Sequence, residues 1–453
     1  MNQARRRTQG EFVLYWMQST HRLEENWGLR YAILAADRLG LPVIVHQGLD
    51  PTYEHASDRI HHFILSNARE MAARASGLGI TYRFALRRTR DDDRRVVDRL
   101  AARAALVVTD DFPTCGIAQR TSRFAARTEC RVIGIDSHGI FPNALFPKEE
   151  WAARTVRPRM RESLVHALYP VEDRAPMVAA SDPLVSSLDP GWIALDTIDI
   201  DAEIARCEID HAVFPVSKPS GLQAARARLH AFCTESLPSY EERRANPADA
   251  TGSSCLSPYL HFGQISAAEV ARAALGSGEL VQTEKFLDEL VTWRELSLNF
   301  CSRNAKFGSL EALPQWVHEN MKEHAKDRRE ADYSIDQLEK GETHEPLWNA
   351  AQQELRTSGA IHNVMRMYWG KGVLQWKKTY AAALADLIHL NNKWALDGRD
   401  PSSYAGIQWC FGKFDRPWAR RPVYGTIRYM SLARAEKKFD AAAYVRRVSS
   451  GEG

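Results

Sequence analysis

The hydrophobic period of this 453-residue chain changes once along its length, and that change limits what it can fold into. Over the first third, short β-branched runs at Phe12–Trp16, Pro42–Val45, Thr81–Ala85, Leu106–Thr109 and Arg131–Asp136 are almost continuously apolar, the pattern of strands buried on both faces. Between them, residues 26–39, 58–78, 92–104 and 117–128 carry helical spacing. Strand alternating with helix predicts an α/β domain over residues 1–150, a doubly wound, Rossmann-like parallel sheet. The first strand runs into Met17-Gln18-Ser19-Thr20-His21 rather than a Gly-rich turn, so no dinucleotide site is expected there. Residues 151–215 read as an inter-domain linker, its stretch 171–195 rich in Pro, Ser, Asp and Ala and without periodicity. Beyond about residue 216 strand signals nearly vanish. Helices are expected at 219–237, 266–276, 284–302, 345–358, 360–377 and 380–394, giving an all-helical C-terminal domain over 216–453.

Composition excludes more than it selects. Lys plus Arg is 60 against 57 acids, so a nucleic-acid signal must be sought locally. No apolar run approaches the ~18–20 residues of a membrane span. The seven cysteines are scattered without a CxxC pair, which argues against structural zinc and against a disulfide framework. A cytoplasmic protein with no membrane partner and no metal is expected.

Four segments carry residue types suited to chemistry. In Phe286–Leu296, Glu289 and Trp293 are four apart and share a helical face. The pair reads either as an exposed Glu beside a core Trp or as a desolvated, proton-donating carboxyl. In Asn363–Trp376, Trp369 and Trp376 fall on one stripe that Trp348 can join. Three neighbouring indoles can pass an electron to an oxidised or excited cofactor, and can equally fill a core. Leu390–Trp409 contains Asp-Gly and Asp-Pro turn formers, then small residues before Trp409, where a planar ligand can approach the backbone or a plain loop can run. Thr251–Gly263 combines hydroxyls with Pro at a helix start, a phosphate cradle or a ligand-free capping loop.

One stretch departs from the chain's balance. Lys413 to Arg447 carries ten Lys or Arg against three acids, interleaved with Trp418, Tyr424 and Tyr429. Such a field suits a nucleic-acid backbone, although a charge run is usually a solvated face.

Taken together, TGSSCLSPYLHFGQIS (251–266), ELVTWRELSLNFC (289–301), NVMRMYWGKGVLQW (363–376) and DGRDPSSYAGIQW (397–409) resemble the photolyase/cryptochrome family, specifically the class II cyclobutane pyrimidine dimer photolyases. The resemblance covers nearly the whole chain. It implies light-driven repair of DNA containing pyrimidine dimers by a monomeric carbon–carbon lyase that uses reduced FAD, with a deazaflavin-type antenna as a possible second chromophore. It also implies a cytoplasmic, nucleoid-associated location in a bacterium. The alternative within the family is a flavin blue-light photoreceptor that signals rather than repairs.

The same resemblance assigns roles. FAD phosphates would lie near Tyr240, Arg244, Ser254, Leu256 and Ser257, with Asn363 also at the cofactor. Arg366 and Asp397 would pair beside the isoalloxazine edge, and Asn391 would face the flavin N5. Glu289 would hydrogen-bond a thymine carbonyl of the dimer. Trp293 and Trp409 would embrace the flipped dimer with Met367 beneath it. Trp369, Trp348 and Trp376 would be the proximal, middle and distal electron-transfer residues. Arg416 and Arg428 would hold the lesion strand and fill the gap in the duplex, with Arg420 and Arg421 as outer DNA contacts. The chain departs from the family pattern at Asp136–Pro142, near the antenna pocket, at Cys255 in place of the usual Asn, and in a shorter loop over Cys410–Arg416.

Overall fold

The computed structural model of the protein describes residues 1–188, 191–277, 280–431, 435 and 439–451. Five strands, β1 (Phe12–Met17), β2 (Val43–Leu49), β3 (Thr81–Leu86), β4 (Ala104–Asp110) and β5 (Val132–Ile135), form one parallel sheet in the order β3-β2-β1-β4-β5. β1 is wholly buried, as expected of a central strand with helices on both faces. The α/β expectation is met strand for strand. The helix expected at 92–104 starts only at Val96, because Asp92 accepts the backbone N–H groups of Arg88 and Thr89 and holds the preceding residues in a turn.

The loop after β1 shows why no dinucleotide signature stands there. The Asp110 carboxylate at the end of β4 accepts the N–H groups of Gln18, Ser19 and Thr20 at 2.8, 2.8 and 3.0 Å. In a dinucleotide-binding fold that position belongs to a phosphate. Here the protein's own anion fills it.

The region 151–215 contains a helix, Ala153–Ala167, which Arg157 ties to Asp288 at 2.9 and 2.8 Å. After residue 216 no strand forms among the described residues. The main helices are Leu222–Ala231, Ala267–Leu275, Leu280–Leu287 continuing through Asp288–Trp293 into Arg294–Arg303, Pro346–Ser358, Asn363–Trp376, Tyr380–Trp394 and Pro401–Cys410. The last of these corrects the loop considered for residues 401–409. Asp400 accepts the Ser402 N–H at 2.8 Å and Pro401 occupies the first turn, so the Asp-Pro pair starts a helix here.

One apolar cluster runs from Val13 and Tyr15 on the sheet through Phe63 to Tyr259, Phe286 and Leu396, so the sheet and the helical part share a core. Buried polar groups lie at the same junction. Asp400 takes His261 Nδ1 at 3.1 Å and faces Arg294 at 3.8 Å, and these partners hold its carboxyl well below the usual range. Glu295 lies opposite, accepting the Ile140 N–H at 2.6 Å. Burial pushes its carboxyl up to about 8.

A carboxyl raised in the folded state binds more protons there than in the unfolded chain between its ordinary value of 4.5 and about 8. Stability should therefore fall as pH rises through that window. Glu295→Gln is expected to remove this component, on the order of a few kcal/mol, flattening the pH dependence of urea unfolding between pH 5 and 8 relative to wild type. Parallel profiles for the two proteins would refute it.

Candidate active site

The helix that carries Glu289 is not regular. Residues Asp288–Trp293 are wound as one π turn between two α-helical segments, a device often found where a side chain must be re-aimed. Glu289 and Trp293 are both partly exposed on this turn, whereas Leu290, Val291 and Thr292 between them are buried. Arg244 meets Glu289 at 2.5 Å and lies 5.6 Å over the Tyr240 ring. Burial raises the Glu289 carboxyl, while Arg244 pulls it back down. Sequence spacing brought Glu289 to Trp293 but gave no sign of this arginine. The resemblance had set Arg244 among phosphate contacts; the structure engages it with Glu289 and leaves its Nε buried without a partner.

The Pro401–Cys410 helix packs directly against Arg294–Arg303. Its Trp409 packs on Trp293 with ring centroids 4.6 Å apart and planes at 31°. The two rings are in direct contact and form one aromatic surface with no slot between them. Met367 borders it, its Sδ 3.8 Å from the Cys410 thiol.

Behind the wall, the helix Asn363–Trp376 opens on His362, whose ring nitrogen accepts the Val364 N–H. Asn363 is exposed at this end. One turn on, Arg366 donates to Asn391 Oδ1 at 2.7 Å and to Asp397 at 3.1 and 3.3 Å. Asn391 is fully buried, and one lone pair of its oxygen remains for another donor. The cluster brings together three residues from three segments, as the resemblance implied.

The three tryptophans also converge. Trp348 and Trp369 stack with centroids 6.3 Å apart and planes at 8°, and Trp348 meets Trp376 edge to face at 5.5 Å. Gly372 makes this possible: a Cβ there would lie 2.8 Å from Trp348 and 3.0 Å from Trp376. Gln352, one turn after Trp348, accepts the Trp369 indole N–H at 2.9 Å. It escaped sequence reasoning, although its spacing from Trp348 places both on one face.

Tyr240 is buried edge to face with Phe232 and Phe286, and Leu256 is fully buried. Ser254 and Ser257 flank it at the start of a short helix, and Arg228 holds the carbonyls of Ser253 and Ser254 at 3.1 and 2.9 Å. On the basic segment, Arg416 and Arg428 lie 5.5 and 5.1 Å over the ring of the exposed Trp418. The pair named from sequence is thus joined through Trp418, one of the aromatics interleaved in the basic stretch. Arg420, expected as an outer DNA contact, is ion-paired with Glu323, and Arg421 stacks on Tyr429 at 4.8 Å. Arg434, Lys437 and Lys438 of the same run lie outside the described residues.

A second concavity, about 950 Å³, opens at the carboxyl ends of the strands, where the sheet order reverses between β1 and β4. Open α/β sheets bind ligands at this position. Trp16, Tyr53, Phe112 and Phe262 line it, and the buried Ser19 Oγ, His21 Nδ1 and Arg399 Nε have no hydrogen-bond partner.

The architecture is that of photolyases and cryptochromes. The structure superposes on a class III photolyase from Agrobacterium tumefaciens with a TM-score of 0.70 at 19% identity, covering 97% of this chain and 87% of that one. A Synechocystis cryptochrome gives 0.71 at 15% identity, over 96% and 88%. An archaeal photolyase from Sulfolobus tokodaii, solved with two FAD molecules, gives 0.67 at 17%, over 96% and 90%. In sequence, residues 13–177 match the DNA photolyase family model. The chain is 35% identical over 441 residues to a deoxyribodipyrimidine photo-lyase of Methanothermobacter thermautotrophicus, covering 97% of this chain and 95% of that protein. It is 35% identical to the Arabidopsis thaliana protein of the same name, over 97% and 89%. The chain belongs to the DNA photolyase family.

The Arg244–Glu289 contact gives the cleft its first test. Since the arginine lowers the Glu289 carboxyl against the effect of burial, Arg244→Ala should move the Glu289 titration upward and Arg244→Lys should move it less. Carbon-13 carboxyl NMR checks this; an unchanged titration would show that the two groups do not interact in solution.

Proposed function

We propose that this protein uses light to split cyclobutane pyrimidine dimers in DNA, with reduced FAD as its cofactor and the class II arrangement of residues in its site. The observation that carries the proposal is the unbroken contact from Trp376 through Trp348 to Trp369, one helical turn from Arg366. Indoles are among the easiest side chains to oxidise, so such a stack suits the resupply of electrons to a cofactor beside it.

The residues present fit FAD. Arg244 Nε and His362 Nε2 are buried and without partners at the cleft, and a Cβ at Gly406 would meet open space. Tyr240, Ser254, Leu256 and Ser257 would hold the phosphates. Arg366, Asn391 and Asp397 would present matched donors and acceptors to a ring edge that bears both. When bound and reduced, FAD supplies a photoexcitable electron donor for the lesion.

The protein's own groups supply the rest. The half-buried Glu289 carboxyl would face a pyrimidine carbonyl; burial favours its protonated, hydrogen-bond-donating form, and the Arg244 guanidinium opposes that. Trp293, Trp409 and Met367 present an apolar wall that excludes water from an extruded dimer. Arg416, Trp418 and Arg428 form a cationic-aromatic knuckle suited to the displaced strand. Arg420, already neutralised by Glu323, contributes less to phosphate binding than Arg421. The strand-end concavity, with its aromatic walls and the unpaired Ser19 Oγ, His21 Nδ1 and Arg399 Nε, suits a second, planar chromophore of the deazaflavin type.

Illuminating the purified protein with a dimer-containing oligonucleotide tests the reading: dimers should revert to monomers only under light. A protein that takes up FAD and photoreduces but never repairs would instead be a photoreceptor. Trp369→Phe should block photoreduction yet leave repair nearly intact when the flavin is reduced chemically beforehand. Loss of repair in that pre-reduced variant would assign Trp369 to the substrate step.

A further inference from the structure

The three indole N–H groups of the tryptophan stack end on chemically different acceptors. Trp348 donates to the backbone carbonyl of Trp369 at 2.8 Å, and Trp369 to the side-chain amide of Gln352 at 2.9 Å. Both acceptors are neutral oxygens with almost no affinity for a proton. Trp376 alone donates to a carboxylate, Glu330 Oε1, at 2.9 Å. The same oxygen accepts Gln375 Nε2 at 2.6 Å, which fixes its place. Among the described residues Glu330 forms no ion pair, so no fixed cation competes for its charge. Trp376 is 3% exposed, whereas Glu330 reaches solvent.

We propose that Glu330 is the proton acceptor for Trp376, making electron donation by the outermost indole effectively one-way. The proposal rests on the photoreduction reading above. The oxidant is photoexcited, oxidised flavin, acting through Trp369 and Trp348. One electron leaves Trp376 for oxidised Trp348. Removing that electron makes the indole N–H strongly acidic, and the Nε1 proton passes along the existing hydrogen bond to Glu330 Oε1. The products are a neutral indolyl radical at Trp376 and a protonated Glu330, which releases its proton to water. An indole that has lost both electron and proton cannot recover the electron until it is protonated again, so charge return along the stack is slowed. Among the described residues the inner two indoles donate only to neutral oxygens, so they pass the electron on without losing a proton.

The geometry also explains the position of the base. A carboxylate beside Trp369 would tend to trap the oxidised site next to the cofactor, where return is fastest. Placed at the outer end, with solvent behind it, it holds the oxidised site at the greatest separation the stack allows.

Two readouts test this on full-length protein loaded with FAD. In transient absorption after a light flash, wild type should show the tryptophan cation radical giving way to the neutral radical. Glu330→Gln keeps a hydrogen-bond acceptor but cannot take the proton, and should slow that conversion on the order of a hundred-fold, with Glu330→Asp restoring part of it. Independently of any light chemistry, the Trp376 indole N–H resonance in a nitrogen-15 spectrum should move upfield in Glu330→Gln, because a charge-assisted hydrogen bond has become a neutral one. Unchanged radical deprotonation in Glu330→Gln would overturn the proposal. So would loss of the long-lived radical in Tyr333→Phe, which would make Tyr333, 5.2 Å from Trp376, the terminal donor. Absence of any tryptophan radical in wild type would instead remove the photoreduction reading beneath it.

Discussion

Four backbone carbonyls from three separate segments converge on the guanidinium of Arg59, a buried side chain on the helix Asp58–Gly77. It donates to Phe214, Leu355, Arg356 and Trp394. Leu355 and Arg356 lie at the end of the helix bearing Trp348, and Trp394 ends the helix bearing Asn391. Helix ends leave carbonyls without intrahelical partners, and a buried carbonyl left unpaired is costly. One arginine from beside the sheet therefore satisfies the ends of two site-bearing helices and sets them against the α/β part. The positions of the indole stack and of the Arg366 cluster both follow from that docking.

The cleft combines two electrostatic environments. On one side, Arg366 bonds both Asn391 and Asp397 in a paired polar group. On the other, Glu289 is desolvated and opposed by a single arginine, so small changes around it move its proton affinity.

Local signals read well where period and propensity dominate. The parallel strands, the long helices and the shared face of Glu289 and Trp293 follow from spacing alone. Spacing also put Trp369 and Trp376 on one stripe, although only packing over Gly372 brings Trp348 into contact with both. The helix at Pro401–Cys410 was obscured because Asp-Pro serves a turn and a helix start equally, and the choice between them is made by what the segment packs against.

Sequence by itself determined the α/β-then-helical order, the lack of a dinucleotide turn after β1, the family resemblance and most of the residues that line the cleft. Those depend on patterns within a few turns of chain, which period and residue type express directly. Tertiary structure alone decided that Arg244 faces Glu289, that Glu323 neutralises Arg420, that Trp418 joins Arg416 to Arg428, and that Glu330 meets Trp376. Each joins groups on separate segments, some of them far apart in the chain. A charged side chain has many possible partners along a sequence, and only the packing of segments against one another selects which one lies within hydrogen-bonding reach.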